Sequence, residues 1–143
     1  MTTDNPTVIG ATLSDLPEIM RLFKIMHREN GMFDLDEDCV MEMFHRVLKK
    51  KDGVIGLIKG PLGDVRAALY LLLTRYWYTK QLHIEEIYNF VDLPWRKTNY
   101  ADALLRFAIH CQESLGIPLV IGVLSGARMV AKVRLYRRRL GMP

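Results

Sequence analysis

The run Ala67-Ala68-Leu69-Tyr70-Leu71-Leu72-Leu73 is apolar without alternation. It lies in a stretch, 65–76, that follows the turn-forming sequence Gly60-Pro61-Leu62-Gly63-Asp64. A strand with one wet face would alternate apolar and polar residues, so this pattern implies a central strand covered on both faces. Further strands are expected at 54–59 and at 82–91, the second ending near Pro94.

A short strand at 8–11 and two helices precede that sheet. Ser14 or Asp15 is placed to cap the first helix, and Pro17 falls in its first turn, where a missing N–H costs little. Leu16, Ile19, Met20, Phe23 and Met26 recur at helical spacing until Asn30-Gly31. The second helix opens in the acidic cluster Asp34, Asp36, Glu37 and Asp38, which suits the positive end of a helix dipole. Its apolar face is Val40, Met43, Phe44, Val47 and Leu48, and Asp52-Gly53 is its stop. Beyond the strands, a helix from Thr98 or Asn99 to Leu115 turns Ala101, Leu104, Leu105, Ala108, Cys111 and Leu115 inward and stops at Gly116. A buried strand at 119–124 and a last helix at 127–139 follow, the latter with Met129, Val133, Tyr136 and Leu140 on one stripe. The order β-α-α-β-β-β-α-β-α reads as one α/β (α+β) domain over residues 1–143, a central sheet flanked by helices.

Composition narrows the setting. The chain is 50% apolar and 25% charged, a globular balance, and no apolar run reaches the length of a membrane span. The N-terminus lacks a basic-then-apolar secretory layout. Cys39 and Cys111 fall in separate helices without metal-type spacing, so a reduced, cytoplasmic protein is expected. The net charge of +4 suits an anionic cofactor or an acidic partner and is too small to argue nucleic acid by itself.

Between strand and helix, at Phe90-Val91-Asp92-Leu93-Pro94-Trp95-Arg96-Lys97-Thr98-Asn99, the chain passes two cations just before the helix opens. The first helical N–H groups have no partner within the helix, and with the helix dipole they make an anion site. Glu85 and Glu86 interrupt an otherwise apolar strand. Simple alternation puts Glu86 on the face of Leu82, Ile84, Tyr88 and Phe90, where its carboxylate would be desolvated; a bulge would shift that parity. His83 is a fallback base or a polar strand residue. His27, His45 and His110 sit singly, so no metal is expected. Ser125 lacks a Ser-His-Asp context. Arg134, Arg137, Arg138 and Arg139 fit a solvated face at a helix C-terminus or a contact to phosphate.

Arg96-Lys97-Thr98-Asn99-Tyr100-Ala101 resembles the phosphate-binding signature Arg/Gln-x-x-Gly-x-Gly/Ala of the GNAT superfamily of N-acyltransferases. Asn99 stands where the first glycine would be, and Asn is among the side chains that best tolerate left-handed or capping backbone. The element order follows the superfamily over almost the whole chain, and 131–142, containing Leu135-Tyr136 and Gly141, looks like its closing helix. The overall look is closest to small GNAT-like proteins of bacteriophages, which would place it in the host cytoplasm.

The resemblance implies transfer of an acyl group, acetyl first among them, from acetyl-CoA to an amine of a small molecule or protein. The backbone after Val91 would pair with the pantetheine arm, and Arg96, Lys97, Thr98, Asn99, Tyr100 and Ala101 would hold the pyrophosphate. Ser125 lies near a position where many members contact the cofactor. Glu85, by ungapped counting from Arg96, or Glu86 through water, would take the amine proton, and Tyr136 would protonate the departing thiolate. The superfamily usually adds two more strands after the last helix seen here. Their absence implies a longer chain, a strand from a partner, or a homodimer covering an exposed sheet edge. The rival reading is a catalytically inactive GNAT fold serving as a binding or assembly module.

Overall fold

A computed structural model describes residues 6–50, 52–122 and 129–140. Five strands, β1 (Ile9–Gly10), β2 (Gly53–Lys59), β3 (Val65–Thr74), β4 (His83–Val91) and β5 (Leu119–Val120), lie side by side in chain order. The first four pair antiparallel, and β5 runs parallel to β4. Helices α1 (Leu16–Asn30), α2 (Glu37–Lys50), α3 (Tyr100–Leu115) and α4 (Met129–Leu140) accompany them.

The unalternating run of β3 is buried from Ala67 through Leu71, as expected of a strand between two layers. On one face α1 and α2 close over Leu57, Ala68, Tyr70, Tyr88 and Phe90 with Ile19, Leu22 and Phe44. On the other, Leu104 and Ala108 of α3 pack against Ala67, Leu69, Leu71 and Ile84. Each fully buried aliphatic side chain contributes about 1.5–3 kcal/mol. Glu18 and Arg21 join α1 to the sheet: the N–H of Val65 donates to Glu18 Oε1 at 2.9 Å, and Arg21 Nη2 donates to the Val65 carbonyl at 2.9 Å.

Several expectations shift. Asp15 is the residue before α1, and its carboxylate reaches back to the Thr12 N–H at 2.9 Å and pairs with Lys59. The second long strand stops at Thr74 rather than Tyr76, because Arg75 to Tyr78 leave the sheet as an exposed turn. Ala101 and Leu115 are exposed, since they lie at the two ends of α3, beyond the reach of the sheet. Gly116 ends α3 with φ of 67°, a left-handed value that glycine adopts without penalty. The strand expected over 119–124 pairs only at Leu119 and Val120 among the described residues.

Candidate active site

The parallel pairing of β4 with β5 covers Ile84 opposite Leu119 and Glu85 opposite Val120. From Glu86 onward β4 runs on to Val91 with no strand beside that edge among the described residues. Backbone groups along such an edge are open to an extended, amide-bearing ligand.

A bulge decides what the side chains there do. Tyr70 faces Tyr88 across the ladder, yet its neighbour Leu71 faces Glu86, so Ile87 is the extra residue. The simple alternation is therefore corrected. Glu86 shares its face with Ile84, as expected, but Tyr88 and Phe90 fall on the opposite face with α1 and α2. Glu85 lies opposite Leu72 and belongs to that α1/α2 side. The two carboxylates thus point to different layers.

On the α3 face, Asn89 links Glu86 to α4. Its amide nitrogen donates to Glu86 Oε1 at 2.9 Å and to the Tyr136 hydroxyl at 2.8 Å. Tyr136 is 9% exposed. Burial, and then the negative charge of Glu86, push its phenol up to about 12, partly offset by the Asn89 hydrogen bond. A phenol held this way accepts from Asn89 and keeps its own proton to give. Asn89 escapes sequence reasoning because a lone Asn in a strand carries no spacing signal; only the bulge brings it to Tyr136. On the other face, His83 Nε2 lies 3.2 Å from Glu85 Oε1.

The strand-to-helix junction is built more tightly than its sequence implies. Arg96 folds back: Nε donates to the Val91 carbonyl at 2.9 Å, Nη2 pairs with Glu29 of α1 at 2.6 Å, and the guanidinium lies 5.0 Å from the Phe90 ring. Lys97 is exposed. The Thr98 hydroxyl donates to the Trp95 carbonyl at 2.5 Å and accepts from the Tyr100 N–H at 3.2 Å. Asn99 precedes α3 with φ of −90°, so the glycine position of the motif needs no left-handed backbone here. Tyr100 stacks on Trp95, 5.9 Å between centroids, while Arg66 caps the Trp95 ring at 3.7 Å and donates to the Tyr100 hydroxyl at 3.3 Å. Ala101 is exposed in the first turn. A recess of about 200 Å³ opens there, lined by Pro6, Asn99, Asp102, Ala103 and Arg106. The Asp102 carboxylate in that turn is balanced by Arg106 at 3.0 Å and by Arg139, which draws the end of α4 onto the start of α3. Of the arginine run, Arg139 is thus in an ion pair, and Arg134, Arg137 and Arg138 are exposed.

Ser125 lies outside the described residues. His27 bonds the Phe33 carbonyl at 2.7 Å, and no cluster of metal-ligating side chains occurs among the described residues. No helix among them is long and apolar enough to cross a membrane.

No family model matches the sequence, and no curated protein matches it. Solved structures do. An integron cassette protein from the mobile metagenome of Cole Harbour Salt Marsh superposes with a TM-score of 0.74 at 23% identity, covering 95% of this chain and 82% of that one. A probable acetyltransferase gives 0.77 at 19% identity, covering 96% and 89%. AAC(6')-Iy, solved with the bisubstrate analogue CoA-S-monomethyl-acetylneamine, gives 0.75 at 12% identity, covering 98% and 92%. The chain shares the GNAT-type fold of these structures.

Proposed function

We propose that this protein is an acyl-CoA-dependent N-acyltransferase that moves an acetyl group from acetyl-CoA to an amine. The observation that carries this reading is the Tyr136 phenol, buried, hydrogen-bonded by Asn89 at 2.8 Å and raised to about 12, beside the stretch of β4 that has no neighbouring strand among the described residues. The fold shared with acetyltransferases of known structure supports it.

The residues at the junction support a CoA pyrophosphate site: the first turn of α3 with its helix dipole, a recess lined in part by Asn99 and Arg106, and Lys97, exposed in the loop before the helix. Acetyl-CoA supplies the activated thioester carbonyl. The edge of β4 beyond Glu85, including Val91, orients the pantetheine amides. Glu85 takes the proton from the acceptor amine through intervening water at the edge of β4, and Tyr136 gives a proton to the leaving thiolate. Orientation and proton transfer are the main sources of acceleration. Release of CoA thiol, measured over a panel of primary amines with acetyl-CoA, tests this: turnover that disappears in Tyr136→Phe supports it, and equal turnover in the variant contradicts it.

A second reading, a binding module without catalysis, is favoured by one feature. Arg96 is already committed to Glu29 and the Val91 carbonyl, and Asn99 adds bulk beside the recess. Acetyl-CoA binding with no thiol release over the amine panel is the result that reading predicts.

A further inference from the structure

The turn between β3 and β4 exposes three consecutive aromatic rings: Tyr76 is 40% exposed, Trp77 95% and Tyr78 70%. They are nevertheless ordered by the sheet. Tyr76 stacks on His83 with 4.3 Å between centroids, and His83, 5% exposed, reaches Glu85 at 3.2 Å. Tyr78 lies parallel to Tyr76 at 5.9 Å, and Trp77 meets Tyr78 edge-on at 5.7 Å. Rings braced in this way lose little freedom when something covers them, which keeps the entropy cost of docking low. Left bare, a patch of this kind marks an interaction site.

Charge says what the partner is. Arg75 and Lys80 are exposed at the two sides of the rings, and no acidic residue occurs from Thr74 to Leu82. Neither cation has an ion pair among the described residues. Trp, Tyr and Arg are the side chains that most often dominate protein interfaces. A Trp that is 95% exposed at a turn encloses nothing; it is shaped to enter a partner's pocket, whereas a small ligand would need a concave site. A second copy of this chain is a poor host. Its broad groove between α1 and α2, about 890 Å³, has no acidic residue in its lining to receive Arg75 and Lys80; Arg28 adds positive charge there, and Arg21 and Lys24 already hold Glu18 and Glu37.

We propose that Arg75, Tyr76, Trp77, Tyr78 and Lys80 form a docking site for an acidic protein surface with an apolar pocket, and that the acceptor amine belongs to that protein. The second half rests on the acyl-transfer reading. The ring stack leads through His83 to Glu85, so a protein seated on the turn presents its amine at the base's end of β4, away from the phosphate loop at the other end.

The test uses the full chain and labelled probes: a short peptide of Glu, Asp and Leu with one lysine, the same peptide with arginine for each acid, and oligothymidylate. Anisotropy titration is expected to show the acidic peptide bound roughly tenfold or more tightly than the basic one, with Trp77→Ala costing about tenfold. Arg75→Glu combined with Lys80→Glu should remove the preference, and acetyl-CoA affinity should stay unchanged in both variants. Equal affinity for the two peptides, indifference to Trp77→Ala, or binding of oligothymidylate alone overturns the docking site. With acetyl-CoA present, the acidic peptide should be acylated at a KM about tenfold below that of lysine amide, an advantage lost in Trp77→Ala. Acylation of lysine amide with no such advantage overturns the protein acceptor and leaves acyl transfer standing. Docking with no acylation of either overturns the acyl-transfer half and leaves the docking site standing.

Discussion

The Asn89 amide donates a hydrogen bond of 2.8 Å to the Tyr136 hydroxyl, tying the bulged part of β4 to α4. With that bond Asn89 supplies a donor, so the phenol proton is directed elsewhere. Replacing Tyr136 by Phe is expected to lower kcat by about 10²–10³-fold while leaving acetyl-CoA affinity within a factor of about two. Steady-state kinetics and calorimetry on the variant check both halves.

The same phenol makes a spectroscopic prediction. Burial and Glu86 hold Tyr136 near 12, well above an ordinary tyrosine, so it stays protonated throughout the neutral and mildly alkaline range. Phenolate absorbance should lose a late step near 12 in Tyr136→Phe, and the early step near 10 should remain. Because Glu86 raises the phenol, Glu86→Gln should move that late step downward. An unmoved step contradicts the placement of Glu86 beside Tyr136.

Glu85 and Glu86 are adjacent, yet their substitutions should differ. Glu85→Gln removes the proposed base and is expected to cut kcat/KM for the amine by about 10²-fold, most strongly at low pH where free amine is scarce. Glu86→Gln should cost far less. Parallel pH–rate profiles of the two variants separate them.

How much of this was legible in the sequence follows from which signals are local. The element order, the two-faced burial of β3 and the strand-to-helix change before Tyr100 could be read, because period and glycine stops are written in neighbouring residues. The placement of Glu85 and Glu86 on opposite faces, with Glu86 turned away from Tyr88 and Phe90, could not: it depends on one extra residue, Ile87, whose bulge is set by pairing with β3. Asn89, Glu29 and Arg66 were missed for the same reason, since each acts on a residue far away in the chain. The motif did point to Arg96, but not to a guanidinium already engaged by α1.

The core offers a stabilising change. The Tyr88 hydroxyl is buried without a hydrogen-bond partner among the described residues, surrounded by Phe23, Phe44 and Tyr70, and burial pushes its ionisation far up. Tyr88→Phe removes an unsatisfied polar group and keeps the ring, so a gain of about 1 kcal/mol is expected in urea or thermal unfolding. A loss of stability contradicts the assignment.

Acid stability should report the clasp between α1 and β3. The Arg21 guanidinium, helped by the Val65 N–H, holds the Glu18 carboxyl below its ordinary value of 4.5. A depressed carboxylate stabilises the fold above that ordinary value, and the contribution fades as pH falls through the lower folded value. Glu18→Gln should therefore flatten the acid limb of stability against pH. An unchanged slope between pH 5 and 3, roughly the range over which a carboxylate titrates, would count against the clasp.

Calorimetric titration of the full chain with acetyl-CoA tests the central claim most directly. The account predicts one-site binding, weakened by Lys97→Glu, and a stabilisation of about 2.7 kcal/mol when free ligand reaches a hundredfold excess over Kd. No heat of binding together with an unmoved Tm at saturating acetyl-CoA would contradict it.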